Sequence, residues 1–290
     1  MKRFIPAKTF LSGEYVALKG GPAVILTTTP CFEVTQTEDV RESNLHPSSP
    51  AGRYLQALGD KGVHFYDPYQ GLGGLGASSA QFVGVYQGKH ARVDDGRLLE
   101  AYFDAAWQGT GARPSGYDVL AQARSGCVCI HRNAGVIEHM PWPFTEIGFV
   151  IVHTGKKLAT HTHLESLETL DYSHLDAAAL AVFNAFRTAN AAALPEAVNA
   201  FQEALTQSAL TAPHSLQALN TLGIYPEVLA AKACGAMGAD TLLLLTAAHT
   251  EQSLGRQLAE KGWNVLATRQ NLFNIDTTTV KAENIYSKST

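Results

Sequence analysis

Gly71-Leu72-Gly73-Gly74-Leu75-Gly76-Ala77-Ser78-Ser79-Ala80 concentrates four glycines just ahead of a helix-compatible run, Gln81-Phe82-Val83-Gly84-Val85-Tyr86. Glycine lets a backbone approach a polyanion closely. The unpaired N–H groups of a helix's first turn, at the positive end of its dipole, then form a ready site for phosphate. The stretch therefore reads as a phosphate-holding loop from Gly73 through Gly74, Leu75, Gly76, Ala77, Ser78 and Ser79 to Ala80, with a serine available to ligate magnesium. No Gly-Lys-Ser/Thr closes it, which excludes a Walker A loop, and no strand-turn-helix unit with G-x-G-x-x-G surrounds it, which excludes a Rossmann fingerprint. On these residues alone a second reading stays open, a flexible loop capped by Ser78.

Outward from the loop, residues 1 to about 155 are rich in glycine turns and short β-like runs. Ala23-Val24-Ile25-Leu26, Cys31-Phe32-Glu33-Val34 and Val128-Cys129-Ile130 are the clearest. A helix from Leu98 to Trp107 places Leu98, Leu99, Tyr102, Phe103, Ala106 and Trp107 on one face, which predicts that these side chains are core. From about Leu164 to Cys234 the good helix formers Ala, Leu, Glu and Gln dominate, broken at Leu194-Pro195, Ala212-Pro213 and Tyr225-Pro226. Thr241 to Thr246, Glu251 to Lys261 and Trp263 to Ala267 then read as strand, helix, strand. Met140-Pro141-Trp142-Pro143 cannot be regular helix and marks the expected boundary between two lobes, 1–145 and 146–290. Residues 276–290 are polar enough to fray.

A chain of 290 residues exceeds what one hydrophobic core ordinarily holds, in keeping with two lobes. With 46% hydrophobic and 17% charged residues the composition is that of a globular protein. A formal net charge of −4 offers no electrostatic footprint for nucleic acid or an anionic membrane, so neither partner is expected. No apolar run reaches bilayer-spanning length, and Met1-Lys2-Arg3-Phe4-Ile5-Pro6 lacks a signal-peptide core, which makes the cytoplasm the expected compartment. Cys31, Cys127, Cys129 and Cys234 form no C-x-x-C pair and read as idle or buried thiols. His161-Thr162-His163 is not a metal site, because alternate residues point apart on a strand and no carboxylate or thiol completes the set.

Two further stretches stand in register with the loop. Pro6-Ala7-Lys8-Thr9-Phe10-Leu11-Ser12-Gly13-Glu14-Tyr15 resembles the first motif of the GHMP kinase superfamily, in which P-G-K precedes an apolar run and G-E. Gly74 to Ala80 resembles the second motif, G-L-G-S-S-A, and Lys232-Ala233-Cys234-Gly235-Ala236-Met237-Gly238-Ala239-Asp240 resembles the third, K-x-x-G-A-G-x-G-G/D. Arg113-Pro114-Ser115-Gly116-Tyr117-Asp118-Val119 is similar to the P-S-G-x-D element that carries the catalytic aspartate in mevalonate and phosphomevalonate kinases. The four pieces occur in order and span most of the chain.

The resemblance implies an α+β, two-lobed GHMP kinase fold: a ribosomal protein S5-like N-terminal lobe, a helical, ferredoxin-like C-terminal lobe, and the active site in the cleft between them. It implies ATP and Mg2+ as cofactors and a small-molecule substrate, with Asp118 as catalytic base and Lys8 paired to it. Phosphoryl transfer calls for anchored phosphates, a metal and a carboxylate aimed at the attacking hydroxyl, and these residue types answer that need. Ser78 is the one protein ligand implied for the metal. Glu14, Ser115, Gly116, Gly235 and Ala236 are implied to line the acceptor site, with Glu14 alternatively bracing a hairpin made by Tyr15–Leu18 and Ala23–Thr27. By residue type alone, Asp118 reads equally as an N-cap or turn carboxylate.

Ala7, Ala77, Met237 and Ala239 depart from the superfamily pattern, and no glutamate before Pro114 matches the metal ligand of mevalonate kinases; Gln108 sits nearest. Met237 bears on the acceptor, because a larger side chain there narrows the pocket. Thr154-Gly155-Lys156-Lys157-Leu158-Ala159-Thr160 resembles the T-G-x-x-x-x-T segment of the mevalonate group, and Lys156, Lys157 and Arg113 are candidates to meet a substrate phosphate. Gly13-Glu14-Tyr15 and Ser115 to Val119 look more like phosphomevalonate kinases, whereas Pro114 before Ser115 is the mevalonate-kinase form. Three other readings share the fold: a kinase for homoserine or a sugar, a metabolite sensor without catalysis, and a decarboxylase.

Overall fold

The computed structural model describes residues 1–36, 43–59, 62–156, 172–238 and 240–274. β1 (Lys2–Ser12) runs antiparallel to β2 (Pro22–Gln36), from Lys2 opposite Thr35 to Ser12 opposite Val24. At fifteen residues β2 is long enough for two more neighbours on its other side. β3 (Val63–Tyr66) takes its far end and β4 (Cys127–His131) its near end, and β5 (Val136–Met140) completes the sheet beyond β4. Side chains alternate across a strand, so Val24 and Leu26 face one core and Ile25 the other, all of them fully buried. β6 (Ile147–His153), β7 (Val228–Cys234), β8 (Thr241–Ala247) and β9 (Asn264–Thr268) form a second antiparallel sheet in the order β7-β8-β6-β9.

Both faces of each sheet are covered. α1 (Pro50–Ala57), α2 (Ala77–Lys89), α3 (Asp95–Ala106) and α4 (Tyr117–Gln122) pack on one face of the first sheet, through Leu55, Phe82, Leu98 and Leu120. α5 (Ser173–Arg187) and α6 (Ala193–Gln207) enter a core shared by both sheets, where Phe186 and Phe201 meet Leu26 on one side and Phe149 and Leu245 on the other. α7 (Pro213–Leu222) and α8 (Glu251–Glu260) close the outer face of the second sheet through Leu222, Leu254 and Leu258. The tail stitches back to the first sheet: Phe273 N–H donates to Thr27 O at 2.8 Å, and Gly126 N–H donates to Phe273 O at 2.7 Å. Two of the three expected proline breaks separate elements, Pro213 at the start of α7 and Pro226 between α7 and β7, whereas Pro195 lies within the first turn of α6, where a missing N–H costs the helix nothing.

Three local readings are corrected. Residues 228–234 form a strand, not the end of the helical stretch, because tertiary pairing with β8 outweighs alanine's helix propensity. The free edge of this strand is satisfied from α6: Asn199 Nδ2 donates to Leu229 O, Ala231 N–H donates to Asn199 Oδ1, and Ala233 N–H donates to Gln202 Oε1. Tyr15 to Leu18 is not a hairpin strand; Val16–Lys19 is a 3₁₀ turn ended by Gly20 at φ 80°. Trp107 is 37% exposed rather than core, because α3 ends at Ala106 and an extended Trp107 leaves the helical period.

Candidate active site

Between β3 and α2 the glycine loop adopts left-handed backbone at Gly74 and Gly76, both at φ 83°. A Cβ on Gly76 would stand 2.8 Å from Lys8 Cγ, and one on Gly74 would stand 2.6 Å from Asp240 Cβ, so conformation and space both require glycine there. Gly76 is the N-cap of α2, and no side chain caps this helix, which removes the reading of Ser78 as a cap. First-turn amides without a side-chain acceptor, with backbone pressed close around them, are the arrangement that takes phosphate. Ser79 Oγ donates to Gly76 O at 3.0 Å, whereas Ser78 on the same turn is exposed. Among the described residues no group of three or more His, Cys, Asp or Glu side chains could hold a metal ion. To a divalent cation held by phosphate oxygens the first turn of α2 would offer an exposed hydroxyl, that of Ser78.

Lys8 comes to the loop from β1. Its N–H donates to Leu75 O at 3.0 Å, and its Nζ lies 3.3 Å from Asp118 Oδ2 and 5.0 Å from the centre of the Phe10 ring. Asp118 stands in the first turn of α4, behind Gly116 at φ 76°. Tyr117 locks that turn by donating its hydroxyl to Gly21 O at 2.8 Å and accepting Arg132 N–H, while Ser115 Oγ accepts Tyr117 N–H. One turn along, Gln122 Nε2 donates to Pro6 O at 2.7 Å and Gly76 O at 3.1 Å. A single amide thus ties α4, β1 and the glycine loop together. Gln122 carried no family motif, and its only sequence signal is the i+4 spacing from Asp118 on a helix.

The third motif reaches the same place from the second sheet. Gly235 to Gly238 turn back with Gly238 N–H donating to Gly235 O, and Ser215 Oγ donates to Gly238 O at 2.7 Å. The side chain of Ala236 lies outside the described set. The Asp240 carboxylate is wedged between two glycine turns, since a Cβ on Gly73 would lie 2.6 Å from its Oδ1 and one on Gly235 2.7 Å from its Oδ2. Thr154 N–H donates to Asp240 O at 3.0 Å, which brings the Thr154-Gly155 segment to the loop as well. Lys157, His161 and His163 lie outside the described residues. Arg113 stacks on Phe103 at 3.8 Å.

Met237, at φ 57°, occupies a left-handed position that favours glycine, and its N–H donates to Tyr15 Oη at 2.8 Å. Burial pushes Tyr15 up to about 12, so the phenol stays protonated. Glu14 does not brace a hairpin. It crosses to β7 and pairs with Lys232, a side chain with no exposure at all.

No protein-family model matches the chain, and no curated protein matches it in sequence. Among solved structures, Streptococcus pneumoniae phosphomevalonate kinase in complex with phosphomevalonate and AMPPNP superposes with a TM-score of 0.73 at 16% identity, covering 92% of this chain and 99% of that one. Methanococcus jannaschii mevalonate kinase gives 0.68 at 15% identity, over 94% and 98%. Lactococcus lactis galactokinase complexed with galactose gives 0.66 at 16% identity, over 92% of each chain. The chain has the GHMP kinase fold. Within this fold the two sheets are contributed by residues before and after the Met140–Ile147 connection, and Lys8 of the first motif, Asp240 of the third and Asp118 beside Lys8 come together around the glycine loop of the second.

Proposed function

We propose that this chain is a GHMP-type kinase that transfers the γ-phosphoryl group of ATP to a small metabolite, with phosphomevalonate as the acceptor. The observation that carries the reading is the Lys8–Asp118 ion pair, at 3.3 Å, beside the uncapped start of α2. Asp118 accepts the proton of the acceptor hydroxyl as it attacks, and the Lys8 ammonium stabilises the carboxylate and offsets charge developing on the transferred group. The amides from Gly73 to Ala80 hold the nucleotide phosphates, and Ser78 Oγ is the protein ligand for magnesium. When bound, the ion neutralises charge on the phosphate oxygens. Ser115, Gly116, Gly235 and Ala236 line the acceptor side, and the functional division of the chain runs 1–145 and 146–290.

Gly13-Glu14-Tyr15 and the first structural similarity above support phosphomevalonate. Pro114 before Ser115 favours mevalonate as the second reading. The test is ATP consumption with Mg2+ over a panel of phosphomevalonate, mevalonate, homoserine and galactose, with the phosphorylated product identified by mass spectrometry. Turnover highest with phosphomevalonate is the expected result. Tight nucleotide binding without turnover on any acceptor would overturn the kinase reading in favour of a metabolite sensor, and carbon dioxide release would mark a decarboxylase.

A further inference from the structure

Four residues beyond Asp118, one buried side chain reaches from α4 to both of the other elements that build the site. Gln122, the last residue of α4, is 1% exposed. Its Nε2 donates to Pro6 O at 2.7 Å and to Gly76 O at 3.1 Å, so both amide protons are in use. Each acceptor stands close to a group the mechanism uses. Pro6 precedes Lys8 by two residues on β1, where the β1–β2 register shifts between Ile5 opposite Phe32 and Ala7 opposite Thr28, and it has no partner residue in that register. Gly76 is the N-cap of α2, at the base of the phosphate loop.

Stability gives little reason for an amide at this place. The bond to Pro6 is set against the Oε1 of Gln122 itself, which is buried and accepts no hydrogen bond among the described residues. The bond to Gly76 O is one of three, since that carbonyl also receives Ala80 N–H and Ser79 Oγ. What the amide contributes is placement. Tyr117 pins the start of α4 through its hydroxyl on Gly21 O, Gln122 pins the end, and Asp118 lies between them. Lys8 N–H docks β1 on the loop through Leu75 O, and a Cβ on Gly76 would lie 2.8 Å from Lys8 Cγ and 3.0 Å from Gln122 Nε2. The amide and the Lys8 stem therefore pack against the same point of the loop.

We infer that Gln122 is a positioning residue for phosphoryl transfer, setting where the Lys8–Asp118 pair stands relative to the phosphate loop. This rests on the kinase reading, in which Lys8 and Asp118 face the reacting groups; Gln122 acts through them. The three elements come from distant parts of the chain, and transfer is sensitive to misplacement by about an ångström.

The test compares wild type, Gln122→Met, Gln122→Glu and a control, Gln202→Met, which strips a buried amide from Ala233 N–H and Thr211 at the edge of β7. The readouts are thermal unfolding, kcat with KM for ATP, kcat across about pH 6 to 9, and hydrogen exchange at the Lys8 amide. Gln122→Met is expected to lose roughly 10-fold or more in kcat with KM for ATP within about 2-fold, while Gln202→Met melts lower yet keeps kcat within about 2-fold. A glutamic acid facing two carbonyls in a buried site holds its proton and keeps one donor. Gln122→Glu should therefore recover part of the lost kcat at low pH and forfeit it as the carboxyl ionises. Wild-type kcat in Gln122→Met, or an equal loss in Gln202→Met, would overturn the inference and leave the amide as structural. Should Gln122→Met fail to fold, Gln122→Glu decides alone, and a wild-type pH profile there overturns it. Should wild type turn over no acceptor, the kinase reading fails, while the Lys8 amide still decides the positioning: faster exchange in Gln122→Met alone supports it, and equal rates in all the proteins refute it.

Discussion

Gly76→Ala and Gly71→Ala form a matched pair that isolates what the glycine loop is for. Both positions sit at φ 83°, so each alanine carries the same left-handed strain, about 1–2 kcal/mol, and the same unfolded-state entropy change. They differ in space. A Cβ at Gly71 meets nothing within 4 Å, whereas one at Gly76 stands 2.8 Å from Lys8 Cγ and 3.0 Å from both Gln122 Nε2 and Lys8 Cε. The difference between the variants is therefore the overpacking cost alone, about 1–3 kcal/mol. Lys8 Cγ must retreat by about 0.6 Å to regain ordinary contact at 3.4 Å, which drags Nζ from its place beside Asp118. A shift of this size at a positioned group lowers kcat by roughly 10-fold or more. Equilibrium denaturation gives the stability gap, and steady-state kinetics with ATP and the acceptor give the rate. Equal stability and equal kcat in the two variants would refute the claim that close backbone approach to Lys8 is what requires glycine.

Asp118→Asn is expected to lower kcat by about 10²-fold or more with KM for ATP nearly unchanged, as removal of a general base does; a parallel loss of nucleotide affinity would make Asp118 structural. Ser78→Ala should raise the Mg2+ concentration for half-maximal rate by roughly 10-fold while Ser79→Ala, which loses only the bond to Gly76 O, should not; the reverse order would reassign the ligand. His153 is held below its ordinary 6.5 by burial, with Asp240 opposing. The unfolded chain therefore takes up a proton near pH 6.5 that the folded one refuses, so stability is complete above that pH and falls as pH drops below it. Urea unfolding of His153→Gln between pH 7.5 and 5 should show a shallower loss than wild type, and parallel curves would exclude His153 as a source of the slope.

Much of the site was legible because its chemistry is local. The glycines of the loop, the serines of the first helical turn and the Ser115-Gly116-Tyr117-Asp118 element each announce themselves within ten residues, since backbone freedom and first-turn amides are short-range properties. The pairing of Lys8 with Asp118 came from family resemblance, not spacing, and the 3.3 Å contact agrees with it. Gln122 was not legible, because a glutamine in a helix is ordinarily solvent-facing and only the packing of α4 on β1 turns it inward. Glu14 was read as lining the acceptor site or bracing a hairpin, and its pairing with Lys232 was not legible for the same reason: that partner arrives on a strand of the second sheet.

By itself the sequence determined the glycine loop and the helix behind it, the breaks at Pro213 and Pro226, and the strand–helix–strand ending, all of which follow from backbone preference and periodicity. Only the tertiary structure decided that 228–234 is a strand, that its edge is closed by Asn199 and Gln202, and that Lys232 lies wholly buried against Glu14. The reason is physical. A propensity acts over a few residues, whereas the burial of a charge and the pairing of an edge depend on which distant segments arrive beside them.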